Sequence, residues 1–247
     1  MAGKKRLDLL LVEKGLAPSR QRAQALILAG KVQVDTRLLD KAGVAVADTA
    51  DITVKGADQA YVSRGGLKLE AALRAFDLSV TQQICLDVGA STGGFTDCLL
   101  QHGAQRVYAV DVGYGQLAWR LRQDPRVVVI ERTNIRHMPP GSLPESMDLI
   151  TIDTSFISLR IVVPEARKFL KPGGGIIALI KPQFEVGKGM VGKGGVVKDS
   201  RQHQAVIIAL CQFFTDQGLT CGPVVPSPIL GPKGNKEFII LLHTGTG

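Results

Sequence analysis

Lys181 closes a nearly unbroken apolar run, Ile-Ile-Ala-Leu-Ile-Lys-Pro, at residues 176–182. A lysine at the end of a buried strand is expensive to desolvate unless it is paired or put to use. Asp153 closes Leu-Ile-Thr-Ile-Asp in the same way. Two opposite charges at the ends of neighbouring strands make a site able to hold or move a proton. A purely structural ion pair is the competing reading.

A second group of residues suits a ligand. The segment Asp87-Val-Gly-Ala-Ser-Thr-Gly-Gly-Phe95 follows an apolar strand pattern and opens a helical one. Gly89, Gly93 and Gly94, with Ala90 and Ser91 between them, let backbone approach a bound molecule closely. The spacing is not GxGxxG, which disfavours a dinucleotide. Asp111 ends the next strand, 22 residues beyond Gly89, where a carboxylate can accept both hydroxyls of a ribose. Asp87 suits an ammonium group. S-adenosylmethionine carries both an amine and a ribose and no phosphate. Asn134, after the third strand, is a candidate for the adenine edge. The competing readings are a helix-capping Asp87, a solvated Asp111 and a loop-capping Asn134.

These residues need a scaffold, and the pattern supplies one. Strand signals at 83–88, 106–112, 127–130, 148–153 and 176–181 are separated by helical signals at 95–102, 116–122 and 159–170. A helix opened by Ser63 runs to Leu78 before them. A longer one, capped by Asp199 or Ser200, follows with Val206, Leu210 and Phe213 on one face. Strands alternating with helices give a parallel sheet covered on both faces, and late strands at 221–225 and 237–242 suit an antiparallel edge. Ligands in such sheets bind at the carboxyl ends of the strands. The front differs. Helices at 6–14 and after Pro18, with Ser19 as N-cap and Gly15 and Gly30 as stops, precede strands near Val32–Val34 and Ile52–Val54. We expect a small α+β domain at 1–58, a linker at 59–62 and an α/β domain at 63–247.

Composition sets the outer limits. The chain has 247 residues, 45% hydrophobic and 21% charged, enough for a real core. The longest apolar runs, such as 176–180 and 205–210, fall far short of the roughly 18 residues of a membrane span. No secretory signal follows the basic start. The four cysteines form no CxxC pair and there is no metal-spaced histidine cluster. We expect four reduced thiols, no metal and a cytoplasmic protein. The net charge is +8, and residues 1–34 hold seven bases against two acids. A basic surplus attracts polyanions, most plainly nucleic acid.

Seven ordered segments now point to one family. They are Ser63-Arg-Gly-Gly-Leu-Lys-Leu-Glu70, Asp87-Val-Gly-Ala-Ser-Thr-Gly-Gly-Phe-Thr-Asp97, Asp111-Val-Gly-Tyr-Gly-Gln-Leu117, Glu131-Arg-Thr-Asn134, Asp153-Thr-Ser-Phe-Ile-Ser-Leu159, Lys181-Pro-Gln-Phe-Glu-Val-Gly187 and Gly234-Asn-Lys-Glu237. Together they resemble the TlyA (hemolysin A) family of ribosomal RNA methyltransferases, from about residue 6 to residue 242. The front resembles the RNA-binding module of ribosomal protein S-four, and the rest resembles the FtsJ class of ribose 2′-O-methyltransferases.

The resemblance implies a Rossmann-like α/β fold with a mostly parallel seven-stranded sheet. It implies S-adenosylmethionine as methyl donor and cytidine 2′-hydroxyls of ribosomal RNA as acceptors, with large-subunit RNA favoured over small. It also implies a tetrad, Lys68, Asp153, Lys181 and Glu237; periodicity alone singles out neither Lys68 nor Glu237. The cofactor set is Asp87, Gly89, Ala90, Ser91, Gly93, Gly94, Phe95, Asp111, Asn134 and Asp153. Arg6, Arg20, Arg22, Lys31, Arg64, Lys188 and Lys193 are the candidate RNA contacts, with plain solvation as the alternative for each. The glycine-rich stretch 187–195 suits a loop closing over RNA, or a flexible connector. A non-catalytic assembly factor, a membrane-active hemolysin, a pseudouridine synthase and a nicotinamide dehydrogenase are the rival functions. Monomer and dimer both stay open.

Overall fold

The computed structural model describes residues 4–14, 16–17, 19–50, 52–54, 60–187, 189–192 and 194–245. Gly15, Pro18, the first residue of the expected linker (Gln59), Lys188 and Lys193 lie outside them. The chain divides into two compact units, 1–59 and 60–247.

In the first unit, strand β1 (Lys4–Arg6) leads into helix α1 (Leu7–Glu13), and helix α2 (Arg20–Leu28) follows. Ser19 caps α2, its Oγ accepting from the Arg22 amide at 3.2 Å. Strands β2 (Val32–Val34), β3 (Arg37–Leu39), β4 (Ala45–Ala47) and β5 (Ile52–Val54) complete it. They form a three-stranded antiparallel sheet, β3-β2-β5, and a β1-β4 ribbon. Leu7, Leu10, Leu11, Ala23, Ile27, Val32 and Ile52 make its core. β1, β3 and β4 escape a sequence reading because, unlike β2, each buries at most one of its three residues, so no apolar alternation marks it.

The second unit runs α3 (Gly65–Ala75), β6 (Ile84–Val88), α4 (Gly94–Gln101), β7 (Arg106–Val110), α5 (Trp119–Arg122), β8 (Val127–Ile130), β9 (Met147–Ile152), α6 (Leu159–Ala166), β10 (Leu170–Ile180), α7 (Pro182–Glu185), α8 (Ser200–Asp216), β11 (Leu219–Pro226) and β12 (Phe238–Thr244). Its sheet has seven strands in the order β11-β12-β10-β9-β6-β7-β8. The five strands from β10 to β8 are parallel. β12 runs antiparallel between β10 and β11, so the last strand lies inside the sheet.

Both faces are covered, which is why the strands read as continuous apolar runs rather than alternating ones. On β10, Ile176, Ala178 and Ile180 join the cluster with α6 and α8. Ile177 and Leu179 join the opposite cluster with α3 and α4. Several boundaries differ from the sequence reading. The helix expected at 116–122 shrinks to α5, and the Ser63 hydroxyl accepts from the Gly65 amide at 3.3 Å just outside α3. On α8, capped by Asp199, Phe214 rather than Phe213 is fully buried. The expectation of four reduced thiols is corrected as well. Cys85 and Cys98 are free and buried, whereas Cys211 and Cys221 are joined as a disulfide. The turn from α8 into β11 brings their Cα atoms to 5.6 Å, within disulfide reach.

Helices α3 and α4 meet where neither carries a side chain. A Cβ on Gly94 would stand 2.2 Å from Ser63 Oγ and 2.9 Å from the Gly66 amide nitrogen. Gly94→Ala is therefore expected to cost about 1–3 kcal/mol of stability. Gly187→Ala, which meets nothing within 4 Å, is expected to cost much less. Urea unfolding of the two variants checks the contrast.

Candidate active site

The parallel register aligns four strand ends. Gly89, Asp111, Asp153 and Lys181 each come immediately after the last residue of β6, β7, β9 and β10. The antiparallel strand adds a fifth residue from its opposite end. Ile180 faces Phe238 across the ladder, which puts Glu237 beside the end of β10. Lys68 comes from α3 above.

Two lysine–carboxylate pairs result. Lys181 Nζ lies 2.6 Å from Asp153 Oδ1 and donates to Ser155 Oγ at 3.0 Å. Lys68 Nζ lies 2.6 Å from Glu237 Oε2. Lys68, Lys181 and Glu237 are all under 10% exposed. Burying such charges is tolerable only because each has a partner at hydrogen-bond distance. Glu237 Oε1, by contrast, is buried with no hydrogen-bond partner among the described residues. Gly231 packs flat against it, since a Cβ there would meet Oε1 at 2.0 Å.

The pairs stand in the wall of a cavity of about 390 Å³, together with Arg64, Ala90, Gly94 and Phe95. A second cavity of about 510 Å³ is lined by Gly89, Ser91, Asp111, Gln116, Asn134 and Asp153, among others. The two share Gly89, Ser91, Asp153 and Ser155. Asp153 thus belongs to both, and Lys181 stands at their junction.

The glycine loop between β6 and α4 has no spare room. Gly89 has φ +83°, and a Cβ there would meet the Asp153 carbonyl oxygen at 2.8 Å. Gly93, at φ +97°, would place one 2.3 Å from Leu121 Cδ1. Asp111 fixes this loop as well as lining the second cavity: Oδ2 accepts from the Ser91 amide at 2.7 Å and Oδ1 from the Gly113 amide at 2.6 Å. A carboxylate has about four acceptor sites, so capacity remains for a ligand. Asn134 does two jobs. Its Oδ1 accepts from the Arg136 amide at 3.1 Å, capping the turn at Ile135–His137, and the residue lines the second cavity.

Asp87 is not brought to either cavity. It is the penultimate residue of β6, so strand alternation points its side chain under α4 rather than out of the sheet end. It is fully buried, accepting from Thr96 Oγ1 at 2.6 Å and Thr151 Oγ1 at 3.1 Å. Burial pushes its carboxyl up to about 6, against the pull of those two hydroxyls. Among the described residues, no group of His, Cys, Asp and Glu could hold a metal ion.

In the first unit, Arg6 and Arg20 share one carboxylate. Asp8, itself completely buried, accepts from Arg6 Nε at 3.0 Å, Arg20 Nε at 3.0 Å and Gln24 Nε2 at 3.0 Å. These contacts hold the Asp8 carboxyl well below the usual carboxylate range, Arg6 leading. Both guanidinium groups stay about half exposed. Arg22 is exposed and Lys31 half-buried. Arg64, in the second unit, is exposed at the mouth of the first cavity.

Residues 61–244 match the family model of FtsJ-like methyltransferases, and residues 5–52 match the S4 domain. The 16S/23S rRNA (cytidine-2′-O)-methyltransferase TlyA of Mycobacterium tuberculosis is 49% identical, across 100% of this chain and 92% of its own. The chain belongs to the TlyA family of FtsJ-like methyltransferases. Another member, the 23S rRNA (cytidine-2′-O)-methyltransferase TlyA of Campylobacter jejuni, is 38% identical over 72% of this chain and 69% of its own. A solved family structure from Streptococcus thermophilus, labelled a hemolysin, superposes with a TM-score of 0.76 at 43% identity, covering 99% of this chain and 90% of that one. No helix among the described residues is long and apolar enough to cross a membrane.

Within this family frame, Ser155, Gln116 and Gly231 are cavity residues that sequence reasoning passed over. Ser155 had a signal, since it lies two positions beyond Asp153 in the Asp153-Thr-Ser-Phe segment. Gly231 had none.

The Asp87 carboxyl gives a pH signature. Its folded-state pKa of about 6 lies above the ordinary 3.8, so the folded state binds the proton more tightly. This group favours folding at low pH, and that contribution is lost as pH rises from about 4 to about 6. At 1.36 kcal/mol per unit the swing is roughly 3 kcal/mol. Asp87→Asn is expected to gain that much relative to the parent protein between pH 4 and pH 7.5, read from denaturant midpoints. Parallel pH profiles for the two proteins would remove the assignment.

Proposed function

We propose that this protein transfers a methyl group from S-adenosylmethionine to the 2′-hydroxyl of cytidine in ribosomal RNA. The observation that carries this reading is the Lys181–Asp153 pair standing where two cavities meet. The names of the relatives support the acceptor; 23S RNA is common to both methyltransferases compared, so large-subunit RNA is the first substrate to test. Such work belongs in the cytoplasm.

The second cavity fits the methyl donor. Its lining holds two carboxylates, Asp111 and Asp153, and no lysine or arginine, which suits a cationic nucleoside without phosphate. The glycine loop, Asp111 and Asn134 would hold it, and Asp153 takes over the ammonium role that the sequence gave to Asp87. Bound there, S-adenosylmethionine supplies an electrophilic sulfonium methyl.

The protein's own part is positional and electrostatic. A ribose hydroxyl is a poor nucleophile at neutral pH, and in-line transfer depends on its placement. An ammonium has three donors. Lys181 spends one on Asp153 and one on Ser155, which fixes its head and leaves the third for the acceptor hydroxyl. As an ammonium it holds the hydroxyl oxygen; as a neutral amine, with its two N–H groups kept on Asp153 and Ser155, its lone pair takes up the hydroxyl proton as the methyl is transferred. Glu237 holds Lys68 at the wall of the first cavity, placed to grip the target nucleotide or its phosphate. Arg6, Arg20, Arg22, Lys31 and Arg64 supply phosphate contacts, and Lys188 and Lys193 are assigned to the same role from sequence alone.

Two outcomes are expected. Lys181→Ala should lower transfer of labelled methyl to unmodified large subunits by at least about 10²-fold, with S-adenosylmethionine affinity little changed; full activity in this variant would sink the role. RNA affinity should fall steeply with salt, and Arg20→Ala should reduce the slope of log affinity against log salt by about one. A flat salt profile in the parent protein excludes phosphate contacts as the source of binding.

A further inference from the structure

Lys181 and Ser155 also line a third cavity, of about 310 Å³. That is within the size range of small-molecule sites. Its walls are mainly apolar. Phe156 and Phe184 stand with ring centroids 5.0 Å apart, and Val191 and Pro232 add to them. Phe156 is 89% exposed and holds φ +65°, a left-handed conformation that costs energy for a residue with a bulky side chain.

Two side-chain amides line this cavity, and they differ. Asn235 is fully engaged: its Oδ1 accepts from the Val197 amide at 3.1 Å, and its Nδ2 donates to the carbonyls of Gly195 and Pro232, each at 3.1 Å. Gln183, on α7 two residues beyond Lys181, has an Oε1 that is buried and has no hydrogen-bond partner among the described residues. A buried acceptor without a donor is unfavourable. Its natural complement is an N–H group on a planar, largely apolar ligand.

Enzymes that do chemistry on a base take it out of the stack and hold it in a pocket, and the same extrusion would bring a ribose hydroxyl out of a folded RNA. Unstacked bases in RNA are recognised by aromatic faces and by hydrogen bonds to their edges. Cytosine presents an N4 amine where uracil presents a carbonyl oxygen. With its amide oxygen turned to the cavity, Gln183 therefore attracts one and repels the other.

We propose that this cavity receives the base of the target nucleotide and that Gln183 Oε1 accepts a hydrogen bond from its exocyclic amine, making Gln183 the residue that selects cytidine over uridine. The proposal rests on the methyl-transfer reading above, with Lys181 serving the ribose of the same nucleotide.

The test compares methyl transfer to large-subunit RNA carrying cytidine at the mapped position with transfer to the same RNA carrying uridine there. The parent protein, Gln183→Leu and Gln183→Glu are assayed for kcat/KM on both, with S-adenosylmethionine binding measured alongside. Gln183→Leu removes the acceptor at similar volume and should lose roughly 5- to 150-fold on cytidine RNA. On uridine RNA it should keep or gain activity, since the repulsion is relieved, and it should bind S-adenosylmethionine normally, so the ratio collapses. Gln183→Glu keeps an acceptor oxygen and should keep the preference. A Gln183→Leu protein that retains the parent's cytidine-to-uridine ratio overturns the proposal, as does a parent protein that shows no such preference. Failure of the parent protein to methylate either RNA overturns the underlying reading and this one with it.

Discussion

The antiparallel pairing of β12 against β10 is the constraint on which the site depends. Five parallel strands can present residues only from their carboxyl ends on this edge. They deliver a glycine loop, two carboxylates and Lys181. A strand running the other way presents its amino end there, and its register, Ile180 opposite Phe238, sets Glu237 beside Lys181. Slipping that register by one residue would turn Glu237 to the other face of the sheet. Lys68 would then be a buried lysine without its partner. The alternating apolar residues of β12, packed into both core clusters, are what hold the register.

Charge burial follows from that geometry. The site holds its lysines out of water, and each is matched by one carboxylate oxygen at 2.6 Å. Among the described residues, unpaired capacity is left in the cavity walls at three atoms, Glu237 Oε1, Gln183 Oε1 and Thr154 Oγ1. Asp87 follows a different logic. It is buried between two threonine hydroxyls and ties the first turn of α4 to β9 from below. It supports the glycine loop from beneath and lines neither cavity.

The sequence made the sheet residues most legible. Lys181 and Asp153 stand out because a charge ending an apolar run has few structural explanations. Lys68 and Glu237 carry no such signature, since one lies on a helix and the other after a Gly-Asn-Lys turn; only the family motifs reach them. Asp87 was assigned to the ligand because it sits near a strand end, yet one residue of parity decides which way its carboxylate points. Asn134 caps its own turn, as its loop reading held, whereas Asp111 bonds the Ser91 and Gly113 amides instead of standing solvated; both also line the second cavity. The disulfide between Cys211 and Cys221 was illegible, because it depends on how tightly α8 turns into β11. Ser155, Gly231 and Gln183 matter through burial and contact, which a linear sequence does not display.

The order in which the chain is synthesised bears on when the enzyme can first act. Residues 68, 153, 181 and 237 are drawn from the whole length of the second unit, and the strand that follows Glu237 is made after the other six strands of its sheet. Until it inserts between β10 and β11, the sheet lacks an inner member and Lys68 has no counter-charge. A nascent chain can build its RNA-binding front early, since domains fold as units during synthesis with the N-terminal one first. The Lys68–Glu237 pair closes only once β12 is made. A partly made copy can therefore complete its S4 domain while the lysine–carboxylate site is still unfinished.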